Sequence, residues 1–241
     1  MKKIRTMIKF IFDVLFPPYC LGCKKEGSWR WLCDDCFSTI EILEYQYCPF
    51  CKIRLRTFER RCQLHSKKNL NGLYFATSYE NLLVKNLIQK FKYPPFLKEL
   101  SPSLASLIIA HFILLGKEKI SKIFSNSVFI PVPLFKSREK WRGFNQAEKI
   151  AKILSEFFKV PLLENNLIKI KKTQPQVELS KEKREGNIKE AFIIKNENLI
   201  KGKKIFLIDD VFTTGSTMEE CARILKKAGT KEVFGITVAR E

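Results

Sequence analysis

The first third of the sequence carries two groups of side chains suited to binding metal ions. Seven of the eight cysteines lie between Cys20 and Cys62, most of them in C-x-x-C pairs. Each pair forms a turn whose two sulfurs reach one ion, and four such ligands complete the tetrahedron of a structural zinc site. Such a closed site leaves no position for a water molecule, so we predict a structural rather than a catalytic role. The predicted ligands are Cys20, Cys23, Cys33 and Cys36 in the first group and Cys48, Cys51, Cys62 and His65 in the second.

The spacing leaves the assignment of ligands to ions open. Sequential pairing is favoured because each intervening loop is short and closes a compact ribbon, whereas a cross-braced arrangement would let the first and third pairs share an ion. His65 lies in a basic stretch and is not distinguished by sequence from a surface histidine, so the prediction is one or two zinc ions. Metal binding would contribute folding free energy to a segment too small and polar for its own core.

A second chemical feature is the stretch from residue 205 to residue 217. Four large apolar residues, 205–208, suit a buried parallel strand, and Asp209 and Asp210 follow where we expect that strand to end with both carboxylates exposed. The turn at 213–216, which is rich in Thr and Ser and contains Gly215, then leads into a predicted helix; we name it the phosphate turn. Free N–H groups at a helix N-terminus bind phosphate, and carboxylate oxygens accept hydrogen bonds from sugar hydroxyls. A phosphate and a diol held side by side indicate ribose 5-phosphate.

These residues resemble the signature of type I phosphoribosyltransferases, which bind 5-phosphoribosyl 1-pyrophosphate (PRPP). The resemblance implies that Asp209 and Asp210 are the catalytic pair that orients the ribose hydroxyls, and that Mg²⁺ accompanies PRPP. The alternative, a buried strand followed by a Ser/Thr-capped helix, would not need two adjacent acids. The PRPP-binding residues so implied are Asp209, Asp210, Val211, Phe212, Thr213, Thr214, Gly215, Ser216 and Thr217.

A basic segment after the strand 128–132 supports this interpretation. We predict that Arg138 and Arg142 in this loop neutralise the departing pyrophosphate by bidentate contacts. The alternative is an exposed basic loop, which is common in so cationic a chain. The motif P-V-P at 131–133, followed by R-G-F-N-Q at 142–146, resembles the ComF family, which couples a phosphoribosyltransferase-like domain to a cysteine-rich zinc region. The pair Lys92-Tyr93 also fits that family, although the sequence suggests no physical role for it. The resemblance continues through Thr173, Gln176, Leu179, Ser180, Arg184, Asn187, Ala191 and Phe192.

A mobile covering loop is a further implication of the phosphoribosyltransferase resemblance. Residues 171–189 are polar and Lys-rich and are the natural candidate, although a surface linker would have the same composition. Lys171 and Lys172 stand where relatives often have arginine, so a role that needs a planar guanidinium is not expected there. Cys221, in the helix after the phosphate turn, is expected to be a small core residue rather than a nucleophile.

Alternation of strand and helix patterns predicts the fold class. We expect an α/β fold, with a type I phosphoribosyltransferase-like parallel sheet flanked by helices and a small N-terminal zinc-ribbon module. The predicted division is residues 1–70 for an N-terminal helix and the double zinc ribbon, and residues 71–241 for the phosphoribosyltransferase-like domain. Strands are predicted at 73–79, 128–132, 167–170, 191–194, 204–209 and 233–238, and helices at 82–91, 97–115, 147–158 and 216–228.

The formal net charge of +19 favours polyanionic partners. A solvated Lys-rich surface is the plainer explanation of such an excess. Basic residues crowd the second cysteine unit and, with two interleaved phenylalanines, could follow a nucleic-acid backbone and stack bases. The competence link of the ComF family favours single-stranded DNA over a merely solvated face. The residues concerned are Lys52, Arg54, Arg56, Arg60, Arg61, Lys67 and Lys68, with Phe50 and Phe58.

The N-terminal stretch 1–16 reads as an amphipathic helix, with apolar residues at helical spacing and basic residues at its start. It is too short to span a bilayer and has no cleavage site of the signal-peptide kind. We therefore expect a cytoplasmic protein. The alternative is peripheral contact of this helix with the inner face of the membrane.

Two functions follow from the sequence. The first is a phosphoribosyltransferase in which a nucleophile displaces pyrophosphate from PRPP with Mg²⁺ present; the acceptor cannot be read from the residues. The alternative is a non-catalytic competence protein that binds single-stranded DNA and uses the PRPP pocket as a sensor. The expected partners are PRPP, single-stranded DNA and other competence proteins.

Overall fold

A computed structural model describes residues 18–28, 31–55, 61–172 and 190–241. The predicted N-terminal helix, Arg56, Phe58, Arg60 and the segment 173–189 lie outside the described residues. The helices are α1 (Asp34–Ser38), α2 (Leu82–Lys92), α3 (Ser101–Leu115), α4 (Lys117–Phe124), α5 (Lys136–Arg142), α6 (Gln146–Phe158) and α7 (Ser216–Lys227). The strands are β1 (Gln46–Tyr47), β2 (Arg54–Leu55), β3 (Gly72–Ser78), β4 (Ser127–Pro131), β5 (Leu167–Lys169), β6 (Phe192–Ile194), β7 (Lys204–Phe212) and β8 (Glu232–Arg240).

The central sheet has six strands in the order β2-β1-β3-β8-β7-β4. The last four of these are parallel, with β3 beside β8, β8 beside β7 and β7 beside β4. Their near-continuous apolar runs are what a parallel sheet covered on both faces requires. The predicted α/β fold with a parallel sheet flanked by helices is therefore confirmed.

Two hydrophobic cores fill the two faces of the sheet. On one face, α2, α3 and α6 pack over the strands around Phe91, Phe112 and Phe206, all fully buried. On the other face, α7 and the strands β5 and β6 cover residues such as Leu207, and α7 contributes Cys221 to this core. The predicted strands 167–170 and 191–194 do form, but they pair antiparallel with each other in a separate two-stranded sheet. They shield one face of the main sheet and do not extend it.

Several elements differ from the sequence predictions for local reasons. Helix α3 begins at Ser101, with a Pro in its first turn where the missing N–H costs nothing. The short helix α4 was not predicted. The basic segment expected to be a loop is helix α5, which ends at Gly143 in the left-handed conformation (φ 81°). Strand β7 runs three residues past its predicted end, to Phe212.

One helical stretch among the described residues, Lys98–Leu115, is long and apolar enough to cross a bilayer by length and composition. In this fold 56% of that stretch is buried inside the protein, and α3 packs on β3 and β8. Its apolar character is therefore explained by its place in the core.

The cysteine-rich region continues the main sheet. Strand β1 pairs antiparallel with β3, and β2 pairs with β1. Beyond the sheet, the guanidinium of Arg240 donates hydrogen bonds to the carbonyls of Cys48 (3.0 Å) and Pro49 (2.7 Å), and the Glu219 carboxylate accepts the backbone N–H of Asn69 (2.8 Å). Hydrogen bonds therefore cross the boundary predicted at residue 70, and the division into 1–70 and 71–241 stays a prediction.

Candidate functional site

The first metal group brings Cys20, Cys23, Cys33 and Cys36 together. All four ligand atoms lie within 4.8 Å of one another, and the sulfurs of Cys23 and Cys33 are 3.6 Å apart. Zn–S bonds of about 2.3 Å in a tetrahedron place neighbouring sulfurs roughly 3.8 Å apart. These side chains thus fit a four-thiolate zinc site.

The second group brings Cys48, Cys51, Cys62 and His65 within the same limit. The Cys51 and Cys62 sulfurs are 3.7 Å apart, and His65 Nδ1 lies 3.5 Å from Cys48 Sγ and 3.7 Å from Cys62 Sγ. His65 therefore takes part as predicted. The ligands pair sequentially, and the cross-braced alternative is wrong.

Backbone amides complete both sites. Gly22 and Cys33 each donate an N–H to Cys20 Sγ (3.4 Å), and Phe50 donates one to Cys48 Sγ (3.5 Å). Hydrogen bonds donated to a cysteine sulfur stabilise its ionised thiolate form, and the thiolate is the form that binds the metal. The donor set, spacing and N–H bonds support structural zinc at these two positions.

The acid pair lies within β7, not after it. Asp209 lies opposite Thr237 of β8, and the pairing of β7 with β8 continues as far as Phe212 and Arg240. Successive residues of a strand face opposite sides of the sheet. Asp210 is only 1% exposed, so the expectation that both carboxylates are exposed is wrong for this residue.

Asp210 meets a cation from the helical face. Its Oδ1 atom lies 2.9 Å from Lys92 Nζ and accepts the Val211 N–H at 2.8 Å. Its Oδ2 atom is buried and has no hydrogen-bond partner among the described residues. Asp209 is half-buried; burial, and then the charge of Asp210, raises the pKa of Asp209 to about 7, while Lys92 opposes the shift.

The phosphate turn is held by a contact between Phe212 and Gly215. Gly215 has φ +78°, and a Cβ built on it would lie 2.3 Å from Phe212 Cζ. The hydroxyls of Thr214 and Ser216 are 3.0 Å apart, and α7 begins at Ser216. The Ser216 N–H donates to Thr214 Oγ1 at 3.5 Å, and a helix N-terminus of this kind is a typical position for an anion.

The two arginines predicted to neutralise pyrophosphate, Arg138 and Arg142, occupy different environments. Arg138 is exposed on α5. Arg142 is 6% exposed and donates to the Gln146 side chain, and its Nε has no hydrogen-bond partner among the described residues. Burial lowers the pKa of Arg142, and the charge of Asp210 opposes this. Arg142 lies in helix α5 and not in the expected loop, and its side chain is buried, which the alternative of an exposed basic loop does not fit.

The R-G-F-N-Q motif has a structural basis beyond Arg142. Asn145 caps α6 by accepting the Ala147 N–H (3.0 Å) and donates to the carbonyl of Val132 (3.1 Å) at the end of β4. Phe144 packs against Phe91 of α2, with ring centroids 5.3 Å apart. The motif therefore joins β4, α2 and α6 beside the acid pair.

Of the segment 171–189, predicted to be a covering loop, the structure describes only Lys171 and Lys172; Lys171 Nζ lies 3.6 Å from Glu190 Oε2 in an exposed pair. Cys221 is fully buried in the core, as expected, and burial raises the pKa of its thiol. Sequence reasoning gave Lys92 no role, although the K-Y pair was visible. It also missed the Arg240 bonds to the second zinc unit, for which a lone arginine in a strand gives no local signal.

Two family models match the chain. A phosphoribosyl transferase domain matches residues 141–241, which include β7, the phosphate turn and β8. A double zinc ribbon domain matches residues 11–64, which include every predicted metal ligand except His65.

Relatives of known name match over most of the chain. Competence protein F of Haemophilus influenzae is 30% identical over 224 residues, 89% of this chain and 93% of the relative. Competence protein ComFC of Streptococcus pneumoniae is 31% identical over 211 residues, 87% of each. The DNA utilization protein YhgH of Escherichia coli K12 is 34% identical over 104 residues, 43% of this chain and 45% of the relative.

Replacement of Gly22 should selectively disturb the first zinc site. A Cβ on Gly22 would lie 2.7 Å from Cys36 Sγ, whereas one on Gly27, in the same module, meets nothing within 4 Å, so that Gly27→Ala costs only the backbone strain of its positive φ (+74°). A thiolate held by a metal cannot move aside without lengthening its bond. We expect two zinc ions per chain in the wild type and in Gly27→Ala, and close to one in Gly22→Ala, by elemental analysis. Full zinc content in Gly22→Ala would contradict this.

Replacement of Gly215 tests the phosphate turn. Gly215 and Gly202 both have positive φ (+78° and +69°), but only at Gly215 would a Cβ overlap another group, Phe212. The left-handed conformation costs an L-residue about 1–2 kcal/mol, and overpacking adds about 1–3 kcal/mol. We therefore expect urea unfolding to show a clearly larger loss of stability for Gly215→Ala than for Gly202→Ala. Equal losses would mean that Phe212 does not constrain the turn.

Proposed function

The chain belongs to the family of competence proteins F and ComFC, and from that premise we propose that it binds PRPP with Mg²⁺ and transfers its phosphoribosyl group. The fold is that of a phosphoribosyltransferase domain joined to a double zinc ribbon. The observation that carries the proposal is the end of β7, where the acid pair is followed directly by the turn that leads into the N-terminus of α7.

The arrangement suits the parts of PRPP separately. The N–H groups at Ser216 and Thr217 and the hydroxyls of the turn would bind the 5-phosphate. Asp209 and Asp210 would accept hydrogen bonds from the ribose hydroxyls. β4 ends opposite Ile208 while β7 continues, so beyond that point this edge of β7 is paired with no strand among the described residues. Ligands of open α/β sheets bind at this end of the strands.

In the proposed reaction, an acceptor nucleophile attacks the anomeric carbon and the bond to pyrophosphate breaks. Exposed Arg138 and the buried charge of Arg142 would stabilise the anionic leaving group. Mg²⁺ bound with PRPP would neutralise part of the same charge. We propose a cytoplasmic location for this activity, and competence proteins as its associates.

Titration calorimetry with PRPP, with and without Mg²⁺, tests the proposal. Because the pKa of Asp209 is raised to about 7, its carboxylate ionises between pH 6 and pH 8 and then accepts hydrogen bonds from the ribose. Affinity should therefore rise with pH across this range, by up to about tenfold per pH unit below the pKa. Asp209→Asn should bind at least about tenfold more weakly and lose this part of the pH dependence. The pH dependence that remains in the variant comes from ionisation of the ligand's own phosphates.

A wild type that shows no binding at millimolar PRPP would contradict the proposed function. Binding without pyrophosphate release across nucleobases, amines and DNA would leave the sensor role as the function of the pocket.

A second candidate, binding of single-stranded DNA, is favoured by the surface of the second zinc unit. Lys52, Arg54, Lys67 and Lys68 are exposed there. The guanidinium of Arg54 lies over the ring of Tyr45, 4.5 Å from its centroid, and Tyr45 is 44% exposed. Cations beside an exposed aromatic ring are typical of single-strand surfaces. Phe50, predicted to stack bases, is instead half-buried between His65 and Lys68.

The DNA surface is tested by fluorescence anisotropy with a labelled oligonucleotide. The double variant Lys67→Gln/Lys68→Gln should bind more weakly and reduce the slope of log affinity against log salt by roughly 0.7 per lost phosphate contact. The matched control Lys117→Gln/Lys119→Gln removes two exposed charges from α4, away from the zinc units in the fold. Equal loss in both double variants would indicate general charge attraction and contradict a defined surface.

A further inference from the structure

Lys92 is a partly exposed cation at the acid pair. It is the last residue of α2, and its Nζ lies 2.9 Å from Asp210 Oδ1; the Lys92 side chain is 25% exposed and that of Asp210 is 2% exposed. Lys92 therefore contacts the buried carboxylate through its ammonium group while part of its own side chain reaches solvent.

Packing places Lys92 there. Helix α2 buries Val84, Leu87, Ile88 and Phe91 against the sheet, and Phe91 contacts Phe144 next to Arg142. A helix anchored along one face to its last turn delivers the side chain of its final residue to a fixed position. The ammonium position is thus set by the core.

The hydrogen-bond capacity of Lys92 is only partly used. An ammonium group has three N–H donors, and Asp210 is its acceptor among the described residues. Burial acts to lower the pKa of Lys92, but the charges of Asp210 and Asp209 outweigh it and raise this pKa. Two N–H donors of the ammonium group therefore remain for an anion beside the ribose site.

The other cations are less suited to that anion. Arg142 is buried and bonded to Gln146. Arg138 is exposed on α5 and holds no ion pair with the acid pair among the described residues. Lys92 combines contact with Asp210 and partial exposure.

We propose that Lys92 is a diphosphate-binding residue of the PRPP site, which holds Asp210 in place through one N–H and donates its other N–H groups to the pyrophosphate of the ligand. The inference rests on the proposed binding of PRPP. It assigns a role to the Lys92-Tyr93 pair, for which the sequence alone suggested none. It also explains why a carboxylate beside a phosphate site does not repel the ligand, since its charge is balanced locally.

The test compares two ligands, PRPP and ribose 5-phosphate, which lacks the diphosphate. Binding is measured by calorimetry for the wild type, Lys92→Gln, Lys92→Arg and the matched control Lys90→Gln, which changes an exposed lysine of the same helix. Loss of a charge-assisted hydrogen bond to the ligand should weaken PRPP binding of Lys92→Gln about 10- to 100-fold. Ribose 5-phosphate binding should change by less than about threefold, Lys92→Arg should recover most of the PRPP affinity, and Lys90→Gln should match the wild type.

Removal of Lys92 alone leaves a buried carboxylate without its countercharge, which could unfold the protein. The pair Asp210→Asn and Asp210→Asn/Lys92→Gln avoids this, because neither variant contains that carboxylate. Asp210→Asn/Lys92→Gln should bind PRPP more weakly than Asp210→Asn does. The two variants should bind ribose 5-phosphate about equally.

The outcomes distinguish this inference from the proposed function. If the wild type does not bind PRPP, both fall. If it binds and Lys92→Gln matches Lys90→Gln, or if the affinities for PRPP and ribose 5-phosphate fall equally, the diphosphate role of Lys92 falls while the PRPP site stands. A lower melting temperature with unchanged affinity would show a purely structural ion pair.

Discussion

The pairing of β7 with β8 beyond the end of β4 is the constraint on which the site depends. β4 stops opposite Ile208, whereas β7 and β8 remain hydrogen-bonded as far as Phe212 and Arg240. The acid pair therefore lies on a strand that is paired on one side and, among the described residues, unpaired on the other. A rigid strand fixes carboxylates more closely than a loop would, which the proposed binding of a sugar diol would need. The same extension brings Phe212 under the phosphate turn.

The charged groups at this strand end are costly in isolation and depend on one another. A buried carboxylate such as Asp210 is tolerated because Lys92 and the Val211 N–H meet one of its oxygens. The other oxygen, and Nε of Arg142, remain without partners among the described residues. Unsatisfied buried polar atoms are rare in folded proteins and concentrate at functional sites. The two groups carry opposite charges, and the charge of Asp210 acts on Arg142.

The zinc units belong to the same architecture as the pocket. Their hairpin extends the main sheet through β1, and Arg240 connects the last strand to the turn at Cys48 and Pro49. Phe212 and Phe75 lie against the Arg240 guanidinium, so one side chain contacts both the phosphate turn and the second zinc unit. Metal ligands replace the hydrophobic core that so short a segment lacks. The metal therefore also supports one edge of the sheet that carries the site.

The sequence by itself determined the features that arise from neighbouring residues. The C-x-x-C turns, the apolar strand followed by two acids, and the glycine-containing turn into α7 all depend on local backbone geometry and residue type. Only the tertiary structure decided the partner of Asp210, the inward position of Arg142 and the separate pairing of β5 with β6. Helix α5 escaped prediction because its short charged sequence has no apolar periodicity. Burial and ion pairing depend on contacts between segments far apart in the chain, and such contacts leave no periodic signal in either segment.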